Sequence, residues 1–217
     1  MDVSTPSRLC LSPVNGKQVL LGFDGANMSS DAGLMLLREI ERREGLAGWL
    51  APCVDDPRDP GKVQHSLEEI IRFRILMIAA GYEDANDAAD LRHDPSFKLA
   101  LERAPESGAA LCSQPTISRM ETHLAADRTS CTKANANQMR LMLHGCAYWI
   151  WWRLRAACPK RSPWRYAQFD TLRLYLLKLA ATIVEKKTRI IITLPACCPR
   201  RKLLTLLFRA LEPPPPA

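Results

Sequence analysis

The stretch SLEEIIRFRILMIAAG, from Ser66 to Gly81, carries a full set of helix instructions. Ser66 offers a hydroxyl oxygen to the open amides of a first turn. Glu68 and Glu69 stand where the helix dipole favours negative charge. Leu67, Ile70, Ile71, Ile75 and Ile78 recur at three- and four-residue spacing and make a broad apolar face. Gly81 supplies the stop. Immediately upstream, Asp55-Asp56-Pro57-Arg58-Asp59-Pro60-Gly61 reads as a loop, because two prolines and a glycine exclude regular structure. Further back, Ser29-Ser30-Asp31 offers capping oxygens, and Leu34, Leu37 and Ile40 follow at helical spacing towards an end near Gly45 or Gly48. Lys17–Phe23 reads as a short strand closed by the Asp24-Gly25 turn. Residues 1–16, broken by Pro6, Pro13 and Gly16, read as loose.

Downstream the pattern stays helical. Short helices are expected from Glu83 to Arg92 and from Phe97 to Arg103, and a longer one from Ser113 to Leu124. Another runs from Ala136 to Ala157, ahead of the basic loop Pro159-Lys160-Arg161-Ser162-Pro163. Phe169, Leu172, Leu176, Leu179, Ala180 and Ile183 share one face of a helix predicted over Gln168–Lys187. Arg189–Leu194 is a strand, Arg201–Leu211 a last helix, and Pro213–Pro216 an extended tail. The fold class is therefore mainly α, with few short strands. The expected division is a loose N-terminus (1–16), a helical N-terminal region with a helix-turn-helix-like segment (17–124), a basic helical C-terminal region (125–211) and the proline tail (212–217).

The chain has 217 residues, 47% hydrophobic and 24% charged, which excludes wholesale disorder and fibrous repeats. Its charge is split. Residues 1–125 carry 13 Lys+Arg against 19 Asp+Glu, and residues 126–217 carry 17 against 4. A half of net +13 points to a polyanion, nucleic acid first and a membrane surface second. Eight cysteines show no CxxC and no zinc spacing, and the first thirty residues lack a basic start followed by an apolar core. Reduced cytosolic thiols are the expectation. Leu141–Trp152 is too short to span a bilayer and reads as a buried helix segment or an interfacial amphipathic one.

Three constellations could carry function. Ser113-Gln114-Pro115-Thr116-Ile117-Ser118-Arg119 puts a cap, a first-turn proline and short or forked hydrogen-bonders at a helix start. Recognition helices present Gln114, Thr116, Ser118 and Arg119 types of residue to base edges; a capped surface helix with Ile117 and Met120 inward is the other reading. Lys160, Arg161, Arg165, Arg200 and Arg201 are candidates for phosphates. Trp149, Trp151, Trp152 and Trp164 lie among those cations and either stack on unpaired bases or pack in the core. For a metal, Asp24, Asp55, Asp56, Asp170 and Glu185 are available, but each has an ordinary turn or dipole reason to be where it is.

An ordered series of motifs resembles bacterial insertion-sequence transposases of the DDE group 1 type. The series runs from Phe23-Asp24-Gly25 and Ser29-Ser30-Asp31-Ala32-Gly33-Leu34 through Asp55–Gly61 and His65-Ser66-Leu67-Glu68-Glu69. Ala79-Ala80-Gly81-Tyr82-Glu83-Asp84-Ala85-Asn86-Asp87, Asp94-Pro95, Phe97-Lys98 and Ser113–Arg119 complete it over residues 20–122. A second part of the same family is resembled by Ala126-Asp127-Arg128-Thr129-Ser130-Cys131, Ala136-Asn137-Gln138, Arg140-Leu141 and Leu143-His144. Ala167–Leu174 and Lys187-Thr188-Arg189-Ile190 continue that part, while Thr132–Asn135 departs from it.

Between these two parts the family carries a ribonuclease H-like core whose Asp-Asp-Glu triad holds divalent metal, magnesium by expectation. Here Leu124 runs almost directly into Asp127. The resemblance thus implies an internal deletion with its junction near His123–Ala126, no inherited catalytic or metal-binding residue, no retained cofactor, and a ribonuclease H-like core largely absent. The implied protein is a DNA-binding remnant in the bacterial cytoplasm that meets element terminal repeats, and itself or a full-length relative, near the nucleoid and away from membranes. The alternatives are an active metal-dependent transposase or nuclease using other carboxylates, and a decayed reading frame with no stable fold.

Overall fold

Helix formation around Ser66 follows the local chemistry. The Ser66 hydroxyl accepts from the Glu69 amide at 3.1 Å, and Gly81 closes the helix in the left-handed region at φ 91°. The computed structural model describes residues 9–25, 30–123, 132–196, 198 and 200–212. In chain order the elements are β1 (Leu9–Val14), β2 (Lys17–Gly25), α1 (Leu34–Glu44), α2 (Leu46–Leu50), α3 (Leu67–Ala80), α4 (Ala88–Leu91), α5 (Pro95–Ala100), α6 (Gln114–His123), α7 (Thr132–Ala157), α8 (Phe169–Leu172), β3 (Thr182–Glu185), β4 (Arg189–Pro195) and α9 (Arg201–Ala210). The protein is mainly α-helical with one small four-stranded sheet among the described residues.

The helix α3 is buried on almost every side, not on one face. Phe73, Arg74, Leu76 and Met77 are covered along with the expected isoleucines, because α2, α6 and α7 pack around it. Its buried cation is compensated: Arg74 Nε meets Glu121 Oε1 at 2.7 Å and Nη2 donates to the Glu83 carbonyl at 2.8 Å. The indole of Trp151 on α7 donates to the Ala79 carbonyl at 3.0 Å.

Two readings of the sequence are corrected. Residues 9–14 are not loose; they form β1, an edge strand paired antiparallel with β2. The signal was Asn15-Gly16, both at positive φ (48° and 71°), a turn that suits a two-residue hairpin. Pro13 is tolerated because it lies on an edge. Nor do residues 168–187 make one helix. Helical structure ends at Leu177 after one π-helical turn, and residues 182–185 become β3. The β-branched run Thr182-Ile183-Val184 finds an antiparallel partner in β4, with Ile183 opposite Ile192. The carbonyls of Leu177 and Leu179 turn away to accept from Gly33 and Ala32, at 3.1 Å each.

The sheet order is β1-β2-β4-β3, and β2 runs parallel to β4 with Val19 opposite Ile190 and Leu21 opposite Ile192. The early and late parts of the chain therefore share one sheet. They also meet at Asp31, which does not cap α1 as expected. It is buried, taking Lys178 Nζ at 2.7 Å on one oxygen and the Tyr82 hydroxyl at 2.7 Å on the other. Burial lifts the Tyr82 hydroxyl above its ordinary value, and Lys178 is raised by Asp31 and Tyr82 against the opposing effect of its own burial. A single apolar core includes residues of the sheet, of α1, α3, α5, α7 and α9, and of the turn before β3. The junction residues 124–126, the proline tail and Cys197 lie outside the described residues.

Candidate nucleic-acid interface

The start of α6 is built as the residue types dictate. The amides of Thr116 and Ile117 bond back to the Ser113 carbonyl, at 2.9 and 3.2 Å, and the Ser113 and Thr116 hydroxyls lie 3.1 Å apart. Ile117 and Met120 are buried, which leaves Pro115 and Arg119 exposed and Gln114, Thr116 and Ser118 half-covered. Gln114 Nε2 donates to the Ser118 hydroxyl at 2.9 Å, and Arg119 Nε to the Pro115 carbonyl at 3.1 Å. Thr116 and Arg119 border a cleft of about 430 Å³ whose far wall is the Asp55–His65 loop.

That loop is acidic but partly neutralised. Arg58 grips Asp56 with Nε at 2.7 Å and Nη2 at 2.6 Å, and this hydrogen bonding holds the Asp56 carboxyl below its usual range and raises Arg58. Asp59 caps the turn that follows, accepting from the Gly61 amide at 3.0 Å. Asp55 is exposed. A phosphate near Arg119 therefore sits beside carboxylates, and the α6 face is less electropositive than its own sequence implies.

The second group of expected site residues lies at the far end of α7. Arg165 Nη1 donates to the carbonyls of Arg155 and Ala156 in the last turn of that helix, where the Arg155 carbonyl also accepts from the Cys158 amide at 3.1 Å. Its first job is to cap. Lys160 and Arg161 are exposed in the loop between α7 and α8, and Arg201 is exposed at the start of α9. Arg200 lies over both the Trp164 ring, at 5.1 Å, and the Tyr175 ring, at 5.0 Å; those rings meet edge to face at 5.7 Å. The structure thus joins Arg200 to the Lys160–Arg165 loop through Trp164, and leaves Gln114–Arg119 on a different element.

The tryptophan run divides. Trp151 is buried, whereas Trp149 and Trp152 are partly exposed and stack on each other at 5.0 Å. Leu141–Trp152 is thus buried on one side only. Tyr166 and Tyr175 are exposed rings within the basic cluster that sequence reading passed over. The alternation of cation and ring in Lys160-Arg161-Ser162-Pro163-Trp164-Arg165-Tyr166 was the available signal.

Three of the five carboxylates considered for metal binding are occupied otherwise. Asp170 pairs with Arg173 at 3.1 Å, Asp56 with Arg58, and Glu185 with Lys17 and Ser107. The Asp24 side chain lies outside the described residues. Among the described residues no group of three or more His, Cys, Asp or Glu is placed to hold an ion. The described thiols are unpaired; burial pushes Cys112 up to about 12 and Cys158 up to about 11. No described helix is long and apolar enough to cross a membrane.

No curated protein and no solved structure matches the chain. A family does, the one described as "Transposase DDE domain group 1", in two stretches, residues 11–126 and 121–216. The chain belongs to the DDE group 1 transposase family.

Proposed function

We propose that this chain binds DNA as an internally shortened transposase and does not cut it. One observation carries the reading: the family match comes in two stretches that overlap at residues 121–126, where Leu124 runs into the motif that begins at Ala126. On this reading residues 17–124 and 125–211 are the flanks of a lost catalytic middle, and neither a triad nor its magnesium is retained. Phosphate contact falls to Lys160, Arg161, Arg200 and Arg201, with Arg165 holding their loop. Groove contact falls to Thr116 and Arg119, with Gln114 and Ser118 behind them. The DNA is the element's terminal repeat, met in the cytoplasm at the nucleoid, and the chain competes there with full-length relatives or pairs with itself.

Fluorescence anisotropy on a terminal-repeat duplex and a scrambled duplex tests this. Tighter binding to the repeat is expected, with log affinity falling by about 0.9 per neutralised phosphate for each decade of salt. Equal affinity for the two duplexes removes the specific claim, and a flat salt response removes the electrostatic one. Incubation with magnesium or manganese is expected to leave the strands intact. Cleavage that vanishes in Asp24→Ala or Asp170→Ala would instead support an active enzyme.

A further inference from the structure

We infer that the cluster of Trp164, Tyr175 and Arg200, with exposed Tyr166 two residues along the chain from Trp164, takes an unpaired nucleotide, its base on an exposed tyrosine ring and its phosphate at Arg200, so that the chain prefers DNA with a single-stranded end to blunt duplex. The inference rests on the DNA-binding reading above and adds a strand state to it.

Arg200 is the first argument. Arg38, Arg58, Arg72, Arg74 and Arg153 each hold a carboxylate oxygen within 2.8 Å. Arg200 instead lies over two aromatic rings and holds no carboxylate among the described residues, and its buried Nε, like those of Arg38 and Arg92, finds no acceptor there. A guanidinium fixed in position with an unanswered N–H lacks an anionic oxygen, and phosphate geometry matches its fork. Arg200 also immediately precedes α9, whose first turn holds no acid and begins with Arg201 and Lys202. Cations there oppose the helix dipole and so gain nothing for the helix itself, while an anion at the same place is favoured by both.

The rings are the second argument. Tyr166 is 81% exposed and Tyr175 41% exposed, and the loop bearing Tyr166 also bears the exposed cations Lys160 and Arg161. No acidic residue occurs between Pro159 and Phe169. Rings interleaved with cations form a stacking platform for bases. Paired bases keep their faces inside the duplex, so only an unpaired one can use such a platform. An acidic peptide would satisfy the cations but leave the ring faces idle.

The test uses the full chain and three labelled probes: a blunt duplex of about 20 base pairs, the same duplex with an overhang of about six thymidines, and vesicles containing phosphatidylserine. The overhang is expected to bind about 10-fold tighter than the blunt duplex, the scale of one or two stacked bases. Tyr166→Ala and Tyr175→Ala are each expected to shrink that ratio several-fold, and Arg200→Lys to weaken overhang binding because it keeps charge but loses the fork. Melting temperatures matching the parent's establish that the variants are folded. Equal affinity for blunt and overhang DNA overturns the inference and leaves DNA binding standing; an unchanged ratio in both tyrosine variants overturns it too. Binding to neither DNA, or to the vesicles alone, overturns the inference and the DNA-binding reading together.

Discussion

Replacing Gly33 by alanine separates local preference from tertiary packing, because the two predict opposite signs. Gly33 precedes α1 with φ −66° and ψ −12°, ordinary right-handed geometry that alanine adopts without strain. Chain entropy and helix propensity therefore predict a gain of about 0.5–1 kcal/mol. The surroundings predict a loss. A Cβ at this position would lie 1.9 Å from the Leu176 carbonyl oxygen and 2.5 Å from the Leu177 Cα, both backbone atoms that cannot swing aside. The segment must withdraw, and with it go the bonds from Ala32 to Leu179 and from Gly33 to Leu177. Two buried hydrogen bonds lost, with their donors and acceptors left dry, cost about 1–3 kcal/mol each, and the Asp31–Lys178 pair beside them loosens. Net destabilisation of about 3–5 kcal/mol follows, a large part of the ~5–15 kcal/mol that holds a domain folded. For a chain of this size the melting temperature should fall by about 6–20 °C, read by circular dichroism or calorimetry. An unchanged or higher melting temperature would refute the close packing of residues 31–33 on residues 176–179.

Three further outcomes are expected. Glu185 is held at about 2 by Lys17 and by the amide and hydroxyl of Ser107; its contribution is present above the unfolded value of 4.5 and disappears as pH falls through 2, so the melting temperature should drop between pH 5 and pH 3, and Glu185→Gln should flatten that drop; an identical drop in the variant would refute the link. Arg74→Met leaves buried Glu121 with only the exposed Arg140 at 3.3 Å and should cost about 3–5 kcal/mol in urea denaturation, with Arg74→Met/Glu121→Leu recovering part of it; a double variant no better than the single one would contradict this. At pH 8 exposed Cys53 should react with iodoacetamide while Cys112 and Cys158, raised by burial, stay unmodified until the chain unfolds, a difference peptide mass spectrometry reads directly.

Legibility in the sequence followed the range of the interactions. Ser66 and Gly81 bound α3, and Asp94 caps α5 by accepting from Ser96 and Phe97, because caps act within four residues. The Lys17 strand and the Arg189 strand were readable from their apolar runs. Their parallel pairing was not, since nothing local states that residue 19 meets residue 190. The error over residues 168–187 has the same origin. Phe169, Leu172 and Leu176 do lie on a helical turn, but Leu179 and Ile183 continue the spacing by coincidence, and the partner strand decides. At the interface, the cations were visible one by one, whereas the capping role of Arg165 and the ring contacts of Arg200 depend on chain segments brought together by folding.

The same reasoning reduces the apparent charge of the basic half to the part a polyanion can use. Several of its cations are spent on the acidic half. Arg140 reaches Glu121, Arg153 reaches Glu44 and Lys178 reaches Asp31, so each neutralises a carboxylate while fastening the two parts of the chain. In the other direction Lys17 and Arg43 hold the C-terminal part, through Glu185 and through the carbonyls of Ala210 and Glu212. These contacts lie along α7, at the end of β3, in the segment before β3 and at the C-terminal end of α9. None of them involves Lys160 or Arg161. Folding thus leaves the exposed Lys160 and Arg161, on the loop that also bears the exposed Tyr166 ring, outside these pairs. Reversing Lys160 and Arg161 to glutamate should therefore weaken DNA binding far more than reversing Arg140, although each change alters net charge by the same amount per residue, and anisotropy titrations at one salt concentration measure the difference. Equal losses per charge would mean that the whole basic half attracts DNA without a defined interface.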